Sequence, residues 1–299
     1  MKRCLLQIYY KILEIKDYNS ILFNKVILSI LKSPMVHSTD ETLNEIVNGK
    51  CSVSRYGDGE FALMNGKGLL FQPYCAELSL RLREIIVSEQ EKHMVCIPNV
   101  FKSLEWCEEK PKSYWDKYLN LHRHKIYKMI DMKKKYYDAL VTRLYIDHKD
   151  KSAAEVRFAK LKKLWNNREV VTVEGEQTRL GIGNDLFRNA SSIKRILCPA
   201  KDAFSKYDEI LEEVKKQDKS KLILISLGPT ATVLAYDLSI NGFQAIDIGH
   251  VDIEYEWFLQ KAVEKCPINN KYIGEVPNGT EVTEIHDMKY ESEIVMKIV

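Results

Sequence analysis

The sequence predicts an α/β protein with a Rossmann-like, mostly parallel sheet, helices on both faces, and a helical extension in front. Three observations carry this. From Val36 onward, short β-branched runs alternate with longer stretches of helical periodicity. The run Lys221-Leu-Ile-Leu-Ile-Ser-Leu227 is continuously apolar, as a central strand buried on both faces must be. Several strands empty into glycine-bearing turns that lead into a helix start, as at Gly228-Pro229. The 299 residues are enough for a sizeable core, and 45% hydrophobic with 29% charged residues is a soluble globular composition. A net charge of +3 gives no electrostatic case for nucleic acid. Seven cysteines without C-x-x-C spacing fit neither a disulfide framework nor a structural zinc site, so a cytoplasmic setting is expected.

Residues 1–36 read as two amphipathic helical pieces that stop at Ser33-Pro34. Gln7, Lys11, Glu14, Lys16 and Asp17 break any apolar run long enough for a signal or a span. Two fates stand open for these helices: packing on the body, or peripheral contact with a membrane or a complex partner. Residues 37–268 form the expected main domain. Thr39 to Val47 is a capped helix ending at Gly49, and Cys51 to Tyr56 is the first strand. Ala76 to Gln90 is a helix burying Leu78, Leu82, Ile85 and Ile86, and His93 to Pro98 a strand closed by proline. The segment 101–150 reads as helical, and its Trp106, Trp115, Tyr118, Tyr127, Tyr136 and Tyr137 suit either a core or the faces of an acceptor sugar. Then follow a helix over Ser152 to Trp165, a strand over Arg168 to Val173, a strand over Ile193 to Cys198 and a helix from Tyr207 to Lys216. The apolar strand 221–227, a helix from Pro229 through Ser239 stopped by Gly242, and a last strand over Phe243 to Ile248 complete the pattern. Residues 269–299, with Asn269-Asn270 and Pro277-Asn-Gly-Thr280, read as loops and a weakly anchored tail.

In an open α/β sheet, ligands collect at the carboxyl ends of strands. The first strand delivers Arg55, Tyr56, Gly57, Asp58 and Glu60. If this turn stays extended, Asp58 and Glu60 point the same way and offer oxygen ligands suited to Mg²⁺ or Mn²⁺; the competing reading is a plain Asp-Gly hairpin. The strand near 173 delivers Glu174, Glu176 and Arg179. Gly228-Pro229-Thr230 builds a helix start whose free N–H groups favour a phosphate. Asp247-Ile-Gly-His-Val-Asp-Ile-Glu254 ends the last strand with His250, Asp252 and Glu254, the residue types that can take a proton from a hydroxyl; acids at a helix start are an equally good explanation. Neither G-x-G-x-x-G nor G-x-x-x-x-G-K-[ST] is present, so no nucleotide motif underlies the phosphate reading.

Ser54-Arg-Tyr-Gly-Asp-Gly-Glu60, Val173-Glu-Gly-Glu-Gln-Thr-Arg-Leu-Gly-Ile-Gly-Asn-Asp-Leu-Phe187, Pro199-Ala-Lys201, Ser226-Leu-Gly-Pro-Thr-Ala-Thr232 and Asp247-Ile-Gly-His-Val-Asp-Ile-Glu-Tyr-Glu-Trp257 together resemble the bacterial GT-D-type glycosyltransferases, over about residues 38 to 265. The resemblance implies a metal-dependent transferase that moves a hexose, typically glucose, from a UDP-sugar to a glycan or glycoprotein acceptor. It places the D-x-E metal motif on Asp58 and Glu60, with Mn²⁺ or Mg²⁺ as cofactor. Donor contacts are then expected from Arg55, Tyr56, Gly57, Glu176, Arg179, Gly228, Pro229 and Thr230, and the base from Asp252, with His250 and Glu254 behind it. A non-catalytic nucleotide-sugar-binding subunit of a glycosylation complex is the competing class, and self-association is compatible with either.

Overall fold

The computed structural model describes residues 15, 18–26, 28, 30, 32–284 and 286–298. It divides into two compact units, one made of residues 1–35 and 100–135, the other of 36–99 and 136–299. What the sequence implies for residues 1–14 lies outside the described residues.

In the smaller unit, residues 18–26 are helical and a long helix runs over Glu109–Met129. The two are joined through Asn24, which is fully buried; its Oδ1 accepts the His124 N–H at 2.8 Å and its Nδ2 donates to the Asn120 carbonyl. Trp115, Leu119, Ile126 and Tyr127 form the buried side of the long helix, and Arg123 donates to the Phe101 carbonyl and the Tyr127 hydroxyl.

The larger unit is built on strands β1 (Met35–Val36), β2 (Ser52–Arg55), β3 (His93–Ile97), β4 (Lys135–Asp138), β5 (Glu169–Gly175), β6 (Ser192–Cys198), β7 (Leu222–Ser226), β8 (Gln244–Asp247) and β9 (Ile294–Lys297). They form one sheet in the order β1-β4-β3-β2-β8-β7-β5-β6-β9. The pairings from β4 through to β9 are parallel. Helices α1 (Thr39–Gly49), α2 (Asp58–Met64) and α3 (Ala76–Ile86) accompany the early strands. With the 109–129 helix counted as α4, they are followed by α5 (Ala154–Lys162), α6 (Tyr207–Lys215), α7 (Pro229–Ile240), α8 (Val251–Leu259) and α9 (Met288–Glu293). The six strands read from the sequence are all present, and the apolar run at 222–226 is an interior strand between β8 and β5.

Local chemistry explains most boundaries. Ser38 and Glu41 make a reciprocal capping box at the start of α1, and Lys50 leaves it in the left-handed region. Pro229 at the first turn of α7 follows Gly228, whose φ of +54° an L side chain adopts only with strain. The core splits into two clusters. One joins β2, β3 and β8 to α1, α5 and α8 around Trp165 and Trp257; the other packs β5, β6 and β7 against α6 and α7.

Three readings differ from the sequence. Lys135–Asp138 is a strand rather than helix, because Tyr136 is fully buried beside β3 and tertiary pairing overrides a lysine-rich flank. Residues 269–299 are not a loose tail: Ile294–Lys297 adds a ninth strand along β6, and Glu293 and Tyr290 clasp Arg195. Residues 58–64 are helical rather than extended, so the period-two argument that put Asp58 and Glu60 on one side does not apply.

Candidate active site

The connection leaving β2 runs to β3 on one side of it and the connection leaving β8 runs toward β9 on the other, and at such a switch point the loops on the carboxyl side part to leave a crevice. Three adjacent strand ends meet there. β2 supplies Arg55 and the turn into α2, β8 supplies Asp247, Gly249 and His250, and β7 supplies Gly228 at the head of α7.

Arg55 and Asp247 are the frame of this corner. The guanidinium donates through Nε to the Asp247 carbonyl at 2.9 Å, through Nη2 to its Oδ1 at 2.8 Å, and through Nη1 to the Ala139 carbonyl at 3.3 Å. Asp247 is 3% exposed, so this pair is largely desolvated; burial raises the Asp247 pKa while Arg55 holds it down. Gly249 packs directly on that guanidinium. It has a φ of +48°, and a Cβ there would fall 1.9 Å from Arg55 Nη2. Any side chain there would take up a strained backbone conformation and push the Arg55 guanidinium aside.

Asp58 opens α2 and is exposed, while Glu60 turns back to accept the Gly57 N–H at 2.6 Å. Desolvation pushes the Glu60 pKa up to about 7, the Gly57 hydrogen bond opposes this, and the Asp247 and Asp58 charges add to it. Among the described residues, no three His, Cys, Asp or Glu side chains gather as a closed metal cage. The two carboxylates at this helix start, one of them destabilised as an anion chiefly by burial, are oxygen donors of the kind a hard divalent cation takes when substrate oxygens and water complete its shell.

The head of α7 is partly covered. Phe71 lies on Gly228, where a Cβ would meet its ring at 2.8 Å, and the fully buried Thr230 shares hydrogen bonding with Gln72, which in turn donates to Asp202 at 2.7 Å. The Leu69–Tyr74 loop thus brings Leu70, Phe71 and Tyr74, all exposed, to the edge of the corner. Sequence reading passed this loop over; its only sign was an apolar-aromatic run in a turn where polar residues are usual.

The three base candidates separate clearly. Asp252 is 1% exposed and fully engaged, by Lys271 Nζ at 2.6 Å and Asn184 Nδ2 at 2.7 Å; Glu256 shares both partners. Its environment is that of a buried ion-pair cluster, which stands against its place as first choice for the base. Glu254 is fully buried, accepts the Tyr145 and Ile146 N–H groups, and lies 3.7 Å from Arg143; desolvation raises its pKa to about 7. His250 keeps 46% of its side-chain surface open, with Nδ1 3.6 Å from Glu275. Desolvation pushes its pKa down to about 4 although the Glu275 carboxylate pulls the other way. The imidazole is therefore neutral near pH 7. Arg143 and Lys265 both hold Glu275, whose pKa they keep well below the usual carboxylate range against its burial.

Other expected contacts lie elsewhere. Tyr56 is 1% exposed with its hydroxyl on the Leu82 carbonyl, so it offers a ligand only backbone. Arg179 is 8% exposed and spends its guanidinium on the Asn270 and Thr283 carbonyls. Glu174 is fully buried against Arg195. Glu176 is exposed, and with Arg179 it lines a cavity of about 650 Å³ shared with Cys198, Tyr290 and Lys297. These residues stand at β5 and β6, three strands or more from β2, roughly 14 Å by strand spacing. The structure does not bring Glu176 and Arg179 to the Asp58 turn.

The profile of the glycosyltransferase GT-D fold family matches residues 53–276, which takes in every strand end described above. The chain belongs to the GT-D-fold glycosyltransferase family. It is 40% identical over 264 residues to the "Probable glycosyl transferase Gly" of Streptococcus gordonii, covering 88% of this chain and 39% of that protein. It is 39% identical over 268 residues to the "Glycosyltransferase GlyD" of Streptococcus pneumoniae, covering 88% of this chain and 32% of that one. The chain thus spans less than half the length of these curated relatives. Among solved structures, one described as showing that "the highly conserved domain of unknown function 1792 has a distinct glycosyltransferase fold" matches with a TM-score of 0.85 and 37% identity, over 95% of this chain and all of that one. "A New Glycosyltransferase (DUF1792) from Streptococcus sanguinis" matches with a TM-score of 0.83 and 40% identity, over 89% of this chain and all of that one.

Proposed function

We propose that this chain is a glycosyltransferase that moves a hexose, glucose first among candidates, from a UDP-sugar to a glycan or glycoprotein acceptor, with Mn²⁺ or Mg²⁺ held at Asp58 and Glu60. The observation that carries the reading is the convergence of β7, β8 and β2 at the switch point, with the D-x-E turn beside the Arg55–Asp247 frame. A cation bound there supplies positive charge against the negative charge that develops on a departing diphosphate. The chain's own groups divide the remaining work. Asp58 and Glu60 act as charge anchors, not bases. Arg55, locked by Asp247 and roofed by Gly249, is a preorganised cation whose position needs no rearrangement during reaction. At the head of α7 the exposed Gly228 is the backbone position left to meet phosphate oxygens, since Pro229 has no N–H, Thr230 is buried and the Ala231 N–H is taken by the Gly228 carbonyl. Phe71 and Tyr74 offer apolar surface for the face of a base or a sugar ring.

If the anomeric centre inverts, the acceptor hydroxyl loses its proton to a side chain. Of the three candidates, His250 is the one whose side chain stays open to an incoming acceptor. Asp252 and Glu254 are committed within the protein, and their part is to fix α8 and the 145–146 turn.

The test is a panel of UDP-sugars scored for metal-dependent UDP formation, with Asp58→Ala as the control. An enzyme releases UDP slowly without acceptor and loses that release in D58A, while the exposed position of Asp58 leaves folding cooperative. Tight nucleotide-sugar binding without release by any UDP-sugar, with or without an acceptor glycan, contradicts the enzymatic reading and favours a binding subunit.

A further inference from the structure

Among the described residues of the smaller unit, those of the first helix turn a row of apolar side chains outward. Over residues 15–30, Ile15, Tyr18, Leu22, Val26 and Ile30 follow one another at helical spacing, and they are 61%, 67%, 52%, 46% and 73% exposed. The buried side of the same helix is marked by a polar residue, Asn24, which is 0% exposed. Leu22 and Val26 each sit about 200° around the helix from Asn24, which places the apolar stripe opposite the face that docks. Asn24 fixes this orientation by its hydrogen bonds to both Asn120 and His124 of α4, and Phe23 packs edge-on to the His124 ring with centroids 5.5 Å apart. Apolar side chains ordered outward along one helix are the mark of a surface that meets an apolar partner.

Charge selects the partner. Residues 1–35 and 100–135 hold 16 Lys and Arg against 7 Asp and Glu, a net of +9, whereas the whole chain of 45 and 42 has +3. The other unit is therefore at −6. Lys25 and Lys32 flank the stripe and are exposed, as are Lys102, Lys110, Lys117 and Lys128. A second copy meeting this face would set +9 against +9. An apolar stripe on a strongly basic unit matches an anionic lipid surface, where the apolar side chains enter the acyl boundary, Lys25 and Lys32 meet headgroup phosphates and the unit's net positive charge draws it to the surface. No helix among the described residues is long and apolar enough to cross a membrane. We propose that the outward stripe of residues 15–30, with the basic charge of its unit, seats the protein on an anionic bilayer. The inference is independent of the proposed chemistry.

The experiment is sedimentation of the full chain with phosphatidylcholine vesicles and with vesicles containing about one-third phosphatidylglycerol, at low and high salt. The expected result is binding to anionic vesicles at least about tenfold tighter than to neutral ones, weakened by salt. Leu22→Glu/Ile30→Glu is expected to lower that binding by about tenfold or more, with the circular dichroism spectrum and UDP release unchanged. Binding indifferent to both lipid charge and the double variant overturns the proposal. So does a concentration-dependent dimer, seen by analytical ultracentrifugation, that the double variant abolishes while vesicles bind neither protein.

Discussion

Gly249→Ala is the sharpest perturbation of the corner, because it acts on Arg55 without touching its charge. Two costs add. The first is backbone: at a φ of +48° an alanine costs about 1–2 kcal/mol more than glycine. The second is the collision of the new Cβ with Arg55 Nη2 at 1.9 Å and Cζ at 2.8 Å. The guanidinium must leave, and the 3%-exposed Asp247 loses its charge-assisted partner, which costs about 1.5–3 kcal/mol or more for a buried carboxylate. Gly66→Ala separates the two terms, since Gly66 has a φ of +78° and nothing within 4 Å of a built Cβ, so that only the backbone cost applies. Urea titrations of the two variants should therefore show about 1–2 kcal/mol lost in G66A and about 2.5–5 kcal/mol in G249A. UDP-sugar affinity should fall in G249A alone. Equal stability losses in the two variants, with equal affinity, refute the idea that Gly249 is there to let Arg55 stand where it does.

Lys271→Met should cost about 3–5 kcal/mol, since it strands Asp252 and Glu256 together in the interior; a loss under about 1 kcal/mol would show that the cluster is not structural. Asp252→Asn should lower stability with little change in turnover, whereas His250→Asn should lower kcat and leave donor KM near its original value; the reverse pattern restores Asp252 as the base. Glu254 has a pKa near 7 in the folded protein against an ordinary 4.5, so the native state binds its proton more tightly than the unfolded chain. Its contribution is fully present below pH 4.5 and is lost as pH rises through 7, by up to about 3 kcal/mol. Relative to Glu254→Gln, the wild-type protein should thus lose stability between pH 4.5 and 8, and parallel stability–pH curves for the two would contradict the shift.

Sequence reading recovered the sheet because its strands are dense in Val, Ile and Leu, and that signal is local. It missed β1, β4 and β9, strands of two to four residues whose strand state depends on partners far away in the chain, as β4 on β3 and β9 on β6. The acids of α2 illustrate a local ambiguity: two glycines suggested an extended turn, whereas Gly57 is the N-cap position and Glu60 reaches back to accept its N–H, with Phe61-Ala-Leu-Met64 already helical behind them. At the site, the sequence located the right strand ends but not the division of labour among them. From the sequence Asp252 stands ahead of His250 as the base, because nothing near it announces Lys271, a partner 19 positions on that pairs with its charge. Arg179 and Glu176 follow a strand that also ends on the carboxyl edge, and only the strand order shows how far along that edge from β2 they stand.

The central claim is that a cation beside the exit of β2 meets the diphosphate of a nucleotide sugar. A crystal structure with UDP and Mn²⁺ tests it directly. The account requires metal density touching Asp58 or Glu60 and diphosphate oxygens between that metal, Arg55 and the head of α7. A well-ordered UDP lodged instead at the Arg179 cavity, with the Asp58 turn bare of metal, contradicts it.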